Sequence, residues 1–600
     1  MDVTIQSREQ VDGKYKWNAE SVFPSLAAAD KERLGLRSDL NAFSVRKGSL
    51  RNGAAVFEAV MDDYQALYKR VWTINSYAFM AGKVDMSVQD TARFCGQAEA
   101  LMGQFKAATA FIEPELVAIG QKTLSGWMAA NPVLAKYEHY LNNLFRNQKH
   151  LRSPEVEELL GLVSEPFSGV ASTAGRLTDV DFTFPAAKDS DGSPMAVFQG
   201  SIATAMQSGD RMVRRSAWEN YTDTYLAHKN TLAGLLETNI KQNIFLMQAR
   251  RQESSLAAAM FADNVPVTVF HNYIDTFKKN LPTWHRYWRF RQRVLGLDDL
   301  APYDIWAPLA TDSPKIPFEQ AVEWICQGLA PLGTDYVETM RNGVLNERWV
   351  DVYPNKGKMG GAFSDGAPGM HPFILMSYDD TVTGLSTLAH ELGHSMHSWL
   401  TWQTQPIIYC GYSTFIAEVA SNFHQAMVRR HLLSMDADKT FKLAVIEEAL
   451  YNFHRYFFIM PTLARFEVET HERVENGKGL SADDMIAIMA DLFEEGYGGH
   501  MQVDRNRVGI TWATFVHLYY DYYVYQYGIG IAGAAALSNR VLNRETGAEG
   551  DYLSFLKAGN AVYPLDALKL AGVDMSSPEP IERAFEALSG MIDEMESLVG

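Results

Sequence analysis

The sequence predicts a mainly α-helical fold with one small β-sheet. Apolar residues recur at three- and four-residue spacing along most of the chain, strand signals are few and short, and no repeat or low-complexity segment interrupts the pattern. The predicted helical segments are 55–82, 88–111, 154–164, 201–258, 267–294, 317–342, 411–434, 438–471 and 510–536.

Strand signals fall in two places. Residues 180–184 and 195–198 flank the polar run 189–193, which predicts a hairpin. Three short apolar runs, 349–353, 361–364 and 373–378, predict a small sheet directly before the segment 387–397. The connection at 357–369 carries five glycines, which favour close backbone approach or a moving loop, although a plain surface connection fits as well.

Length and composition indicate a large globular protein of a reducing compartment. Six hundred residues suggest several domains or one large helical assembly, and we place a boundary near 200, between an N-terminal helical domain (1–200) and a second domain (201–600). Only Cys95, Cys326 and Cys410 occur, far apart, so a disulfide framework is not expected. The polar start of the chain shows no secretory signal, and the expected location is the cytoplasm.

Charge and hydropathy exclude two classes of partner. The net charge of −18 disfavours nucleic acid, because phosphate binding requires clustered Lys and Arg. No stretch reaches the uninterrupted apolar length of a membrane span. The oligomeric state is left open.

The most informative motif is His390-Glu391-x-x-His394. Residues four apart on an α-helix share one face, so the two imidazoles can hold one zinc ion, and Glu391 can act as general base on a water at the metal. The apolar stripe of the surrounding segment supports a helix, which Thr381, Thr383 or Ser386 could cap. These residues predict a zinc peptidase with one Zn²⁺ per chain.

A catalytic zinc site needs a third protein ligand and one open position. The metzincin spacing fails, because Leu400 stands where that pattern requires a histidine. The alternative is Glu418, which lies among apolar residues of a following helix, where a carboxylate requires a strong partner. That partner is either zinc or an arginine such as Arg429 or Arg430.

Seven segments, spread over nearly the whole chain, share one pattern: Trp17–Ser25, Ser208–Arg215, Gly360–Ser364, Pro372–Tyr378, the segment of His390 and His394 (the zinc helix), Phe415–Ser421 and His517–Tyr527. Taken together, they resemble the oligoendopeptidase F branch of the M3 (thimet oligopeptidase-like) metallopeptidases. Two departures are Phe515-Val516, where many members have Ile-Pro, and His424-Gln425, where Asn-Glu is frequent.

The resemblance implies a helical shell around a deep substrate channel and hydrolysis of internal bonds in short unstructured peptides. It suggests that His517, Tyr520 and Tyr523 stabilise the tetrahedral oxyanion, with the two tyrosines sharing a helix face; ordinary helix packing is the alternative for each. His397 is expected to pack or to line the cleft. An extended peptide is expected to pair with the strand around 373–378.

Two other functions compete with an endopeptidase. An exopeptidase of the dipeptidyl carboxypeptidase type would need a cation placed to hold a substrate carboxylate, and the sequence does not locate one. A catalytically silent peptide-binding or scaffold protein is the more distant alternative, and the intact Glu391 argues against it, because a pure binder needs no base.

Overall fold

The computed structural model describes residues 6–310 and 314–599, so the first five residues of the polar N-terminal segment lie outside it. Within these ranges the chain is mainly α-helical, which confirms the predicted fold class. The helices are α1 Leu26–Ser44, α2 Ala54–Lys83, α3 Gln89–Thr109, α4 Ile112–Ile119, α5 Gln121–Ala130, α6 Glu138–Gln148, α7 Pro154–Leu162, α8 Ser164–Arg176, α9 Ile202–Met206, α10 Arg211–Ala227, α11 Lys229–Ala249, α12 Ser255–Ala262, α13 Val267–Lys279, α14 Leu281–Val294, α15 Phe318–Gly328, α16 Thr334–Leu345, α17 Val382–Thr404, α18 Thr414–Ser434, α19 Lys439–His454, α20 Met460–Glu475, α21 Ala482–Tyr497, α22 Arg505–Gly509, α23 Tyr525–Leu542, α24 Ala548–Ala558, α25 Pro564–Leu570 and α26 Glu579–Val599.

Most predicted helical segments are found, but several are divided. The segment 201–258 holds four helices, α9 to α12, and 267–294 is cut at Asn280, before Pro282. Between α19 and α20 the chain forms a π-helical turn, Arg455–Ile459. The prediction of a helix over 510–536 is wrong before Tyr525, since 510–519 forms short 3₁₀ turns.

The chain divides into two compact units. The first holds the described residues up to Lys149 together with Lys315–Ser413 and Val541–Gly572, and the second holds the remaining described residues. Units defined by compactness need not coincide with domains defined by function, so the domain boundary near 200 stays a prediction. The substrate channel also stays a prediction.

The small sheet of the first unit lies beside α17. Its strands are β3 Val350–Asp351, β4 Phe363–Asp365 and β5 Phe373–Leu375, in the order β3-β5-β4, with β5 parallel to β3 and antiparallel to β4. The central strand is therefore β5, and its backbone is paired on both sides. The expectation that a peptide pairs with this strand is wrong for 373–375, because both sides are already paired, and it stays a prediction for 376–378.

A second, two-stranded sheet joins β1 Ala187–Lys188 and β2 Pro194–Met195 as an antiparallel pair around the predicted turn. The carboxylate of Asp189 closes the turn by accepting the N–H groups of Asp191 and Ser193. The hairpin around this turn is confirmed, but the predicted strand at 180–184 is wrong, since Leu177–Asp181 is a π-helical turn and the first strand forms at Ala187–Lys188 instead. The second strand covers only the start of the predicted 195–198.

No helix in the described ranges combines the length and the apolar character that crossing a membrane requires.

Candidate metal centre and catalytic residues

Helix α17 presents the His-Glu-x-x-His motif. The helix begins where predicted, because the hydroxyl of Thr381 accepts the N–H of Gly384 at 3.0 Å. Its apolar stripe is fully buried and fixes the rotation of the helix; the stripe consists of Leu385, Leu388, Ala389, Leu392 and Met396. The opposite face therefore carries His390 and His394, which are both partly exposed.

The two histidines stand one above the other on that face. Their ring centroids are 4.9 Å apart and the ring planes are nearly perpendicular, at 83°. Glu391, between them in sequence, is almost completely buried, with 6% of its surface exposed. Both imidazoles thus lie on one face of the helix that also carries Glu391.

Glu418 lies near the start of α18, as its fifth residue. One ligand atom from each of His390, His394 and Glu418 is within 4.8 Å of the others, and all three residues are partly buried. Two imidazole nitrogens and one carboxylate oxygen form a donor set that suits zinc, with room for a further ligand. The residues present thus fit the metal that the motif predicts.

Neighbouring groups fix the position of Glu418. The hydroxyl of Ser421 donates to Glu418 Oε2 at 2.9 Å. Gly530 of α23 packs so closely that a Cβ there would lie 2.5 Å from the Cβ of Glu418. Arg429, the arginine considered as a structural partner, instead forms a bidentate pair with Glu448 at 2.7 Å for both bonds, and Arg430 is exposed.

The segment that carries His517 and the tyrosines is not a single helix. His517 lies in the 3₁₀ turn Val516–Tyr519, and the chain then turns, with Tyr523 N–H donating to the carbonyl of Tyr520 at 3.0 Å. Tyr522 adopts a left-handed backbone conformation, with φ of 48°. The prediction that Tyr520 and Tyr523 share a helix face is therefore wrong.

The turn nevertheless gathers the aromatic rings of this segment. The rings of His517 and Tyr523 stack at 6.2 Å with an interplanar angle of 15°. Tyr527, in the first turn of α23, lies 5.8 Å from the His517 ring and donates to the Tyr523 hydroxyl at 3.4 Å. Tyr520 contacts the Tyr523 ring at 6.1 Å but is 59% exposed.

Sequence reasoning did not single out Tyr527. Burial is the main cause that raises its pKa, followed by the hydrogen bond with Tyr523 and the negative charges of its neighbours, including Glu418. Its hydroxyl therefore stays protonated and lies near a candidate metal ligand. The four-residue spacing between Tyr523 and Tyr527 could have indicated their contact. Several tyrosines in this segment have similar spacings, however, so the spacing alone does not distinguish Tyr527.

The π-helical turn between α19 and α20 supplies two further groups. Tyr456 stacks on Tyr527 at 5.1 Å and 16°, and Arg455 lies over the Tyr456 ring at 5.8 Å. Burial, followed by the charge of Arg455, lowers the pKa of His517 to about 4. His517 is consequently a neutral ring at neutral pH, with one N–H to donate.

His397 packs, as one of its two predicted roles requires. It is fully buried, stacks on Tyr412 at 3.7 Å and contacts Phe555 at 5.2 Å. The hydroxyl of Tyr412 in turn donates to the carbonyl of His394 at 3.4 Å. This contact stabilises the helix turn that holds the second histidine.

Two family models match the chain: Peptidase family M3 over residues 204–587 and Oligopeptidase F over residues 115–184. The chain is 35% identical over 596 residues to oligopeptidase PepF of Bacillus subtilis (strain 168), covering 99% of this chain and 89% of that protein. It is 32% identical to group B oligopeptidase PepB of Streptococcus agalactiae serotype III (strain NEM316), covering 99% and 98% of the two chains.

A solved structure shows the same fold. The crystal structure of oligoendopeptidase-F from Enterococcus faecium superposes with a TM-score of 0.73 at 27% identity, covering 97% of this chain and 99% of that chain. The model match over 204–587 and the identity to PepF together establish the relationship. The chain belongs to peptidase family M3.

Proposed function

We propose that this protein is a zinc-dependent endopeptidase that hydrolyses internal bonds of short, unstructured oligopeptides. The observation that carries the proposal is the meeting of ligand atoms from His390, His394 and Glu418 within 4.8 Å, on the helix that also carries Glu391. The names of the relatives, oligopeptidase and oligoendopeptidase F, support the size class of the substrate.

The roles of the residues follow from their chemistry. His390, His394 and Glu418 would hold zinc, which when bound supplies Lewis-acid polarisation of the scissile carbonyl and lowers the pKa of water. Glu391 accepts a proton from the attacking water as its oxygen bonds to the carbonyl carbon. It then gives that proton to the nitrogen as the C–N bond breaks, so the base is regenerated.

The oxyanion that forms at the carbonyl requires neutral donors. His517 is neutral because of its lowered pKa, and Tyr523 and Tyr527 carry hydroxyl donors linked by a hydrogen bond. We assign His517 and Tyr523 as the principal donors and Tyr527 as their support. Tyr520 is the weakest candidate of the predicted set, because it is the most exposed.

Strand β4 is the better candidate for backbone pairing with the substrate. It is an edge strand, whereas the outer side of β3 is covered by the N-terminal segment, where Val352 N–H donates to the Tyr15 carbonyl. The hydroxyls of Ser364 and Ser395 lie 2.8 Å apart, which ties β4 to the zinc helix one residue after His394. An extended peptide added to β4 would run alongside that helix.

The test is cleavage of an internally quenched peptide of about ten residues blocked at both ends, a length within the extended-chain reach of roughly 3.3 Å per residue. Glu391→Gln should keep zinc, measured by elemental analysis, and should lose nearly all turnover, because only the base is removed. Near wild-type turnover in that variant, or no cleavage by the zinc-loaded protein, would overturn the proposal. Intact casein should remain largely uncut.

One observation favours an exopeptidase as the second candidate. Arg455 is exposed, acts on the pKa of His517, and within the described residues forms no ion pair. It is therefore a cation available to a substrate carboxylate. If this candidate is correct, amidating the C-terminus of a peptide should abolish cleavage. Arg455→Gln should remove the preference for a free C-terminal carboxylate, whereas Arg215→Gln, at another exposed arginine, should keep that preference.

A further inference from the structure

Helix α20 carries two buried polar side chains one turn apart, Glu467 and His471. Only 2% and 1% of their surfaces are exposed. A carboxyl group in a helical core normally pairs with Lys or Arg, yet among the described residues no such ion pair involves Glu467. Its contacts lead instead to the segment that carries His517 and Tyr523.

The first contact is made to a strained residue. Glu467 Oε1 accepts the backbone N–H of Tyr522 at 2.7 Å. Tyr522 has φ of 48°, a conformation that glycine adopts freely and that is unfavourable for a tyrosine. Such a residue persists only when its surroundings hold it, and here the hydrogen bond acts on the strained residue itself.

The second set of contacts comes from His471. Its Nδ1 lies 2.8 Å from the carbonyl of Glu467, and a carbonyl only accepts, so Nδ1 donates. The His471 ring packs against the Tyr522 ring at 4.9 Å. The remaining ring nitrogen, Nε2, lies 3.3 Å from Asp521 Oδ1, but the two atoms form no hydrogen bond. Glu467 thus bonds to the backbone of Tyr522, and His471 packs on its ring and lies beside Asp521.

Asp521 and Tyr522 are the two central residues of the turn from Tyr520 to Tyr523. The shape of that turn decides where Tyr523 lies, and it lies stacked on His517. We propose that Glu467, supported by His471 and Asp521, is a positioning residue that fixes this turn and so aligns Tyr523 with His517 for oxyanion stabilisation. The catalytic part of this inference rests on the proposed function.

The charge state of Glu467 defines the useful variants. Burial, followed by the nearby charge of Asp521, raises the pKa of Glu467 well above its ordinary value, so the group is a neutral acceptor. Glutamine keeps a neutral acceptor of the same length, whereas methionine keeps the volume and removes the acceptor. Glu467→Gln should therefore behave as wild type, and Glu467→Met should not.

A matched control is available in the same unit. Glu447 is a partly buried carboxylate, and it accepts the N–H groups of Leu309 and Ala310 at 2.7 and 3.1 Å. Glu447→Met removes an acceptor of two backbone N–H groups that lie outside the turn. It should lower the melting temperature without changing kcat, which separates a loss of stability from a loss of positioning.

The experiment measures kcat, KM, zinc content and hydrogen exchange of the segment 515–527 for each variant. Glu467→Met should lower kcat about ten- to a hundredfold with a smaller change in KM, as for a misplaced oxyanion donor. Exchange should rise in 515–527 and stay unchanged in α17. Glu467→Gln should remain within about threefold of wild type in kcat.

Several outcomes would overturn the inference. One is that Glu467→Met keeps the kcat of the wild type and the hydrogen exchange of the wild type in 515–527. Another is that Glu467→Gln loses as much kcat as Glu467→Met. If Glu467→Met does not fold, Asp521→Ala replaces it, since that side chain is 28% exposed, and unchanged exchange of 515–527 there would refute the inference. Because exchange is independent of turnover, failure of the proposed function would appear separately, as wild-type protein that cleaves no peptide.

Discussion

The zinc helix and the His517–Tyr527 segment carry the two halves of the proposed chemistry, yet they are specified by the sequence in different ways. In α17 the cap at Thr381, the apolar stripe and the four-residue spacing of the histidines all lie within one stretch of chain. In the second segment the decisive contact to Tyr522 comes from Glu467, 55 residues away. Local patterns therefore predict the first and mislead about the second.

The physical reason lies in what competes with the helix. Five tyrosines within 519–525 have spacings that fit a helical face, and the helix propensity of tyrosine is only slightly unfavourable. A carboxyl group in the core that must receive a hydrogen bond overrides this weak preference, because an unsatisfied buried acceptor costs about 1–3 kcal/mol. The turn at Tyr522 supplies that hydrogen bond to Glu467 Oε1.

The largest expected effect tests the metal-binding half. Glu418→Ala should lose zinc and activity together, since two histidines alone bind zinc weakly. Its zinc affinity should fall by more than the 10- to 100-fold that is typical when a residue contacting a ligand, rather than a ligand itself, is lost. Added zinc should restore part of the zinc content and part of the activity. Elemental analysis at nanomolar free zinc is the measurement, and full occupancy in this variant would remove Glu418 from the ligand set.

Ser421→Ala is the matched, milder variant of that experiment. It removes only the hydroxyl that donates to Glu418 Oε2 and leaves all three ligands in place. Zinc affinity should fall by about tenfold, the lower end of the range for outer contacts. An effect as large as that of Glu418→Ala would indicate a disturbed helix rather than a lost orienting bond.

The second prediction compares donors within the tyrosine segment. His517→Ala should lower kcat by about ten- to a thousandfold, with KM less affected, because the interaction forms mainly in the transition state. Tyr523→Phe should have a larger effect than Tyr520→Phe, since Tyr523 stacks on His517 and Tyr520 is mostly exposed. Steady-state kinetics on zinc-loaded variants measures this, and the reverse order would contradict the assignment.

Across the rest of the structure, features set by local sequence patterns are likewise predicted, and features set by distant contacts are not. The zinc helix, the three strands before it and the hairpin turn at 189–193 are set by local signals and are found. The central place of β5 was not predictable, because strand order depends on which backbones meet in space rather than on the strands themselves. Tyr527 and Arg455 likewise became candidates only through their ring contacts.

The smallest predicted effect concerns stability near the π-helical turn that brings Tyr456 to Tyr527. His454 ends α19 and is fully buried, and its Nδ1 accepts the indole N–H of Trp306 at 3.0 Å, so the ring is neutral. Burial, followed by the charge of Arg291, lowers the pKa of His454 to about 3 from an ordinary 6.5. As pH falls below 6.5, His454 binds a proton in the unfolded chain but stays neutral in the folded protein, so the free energy of unfolding decreases.

This loss should extend from pH 6.5 down towards 3, with at most about 1.4 kcal/mol per pH unit from this one histidine. Between pH 6.5 and 5 that amounts to roughly 2 kcal/mol. His454→Gln keeps an acceptor for Trp306 but does not titrate, so its melting temperature should fall less than that of wild type between pH 7.5 and 5. Identical pH dependence of the two proteins would show that His454 is not held neutral, while any constant offset at pH 7.5 reports only the change in packing.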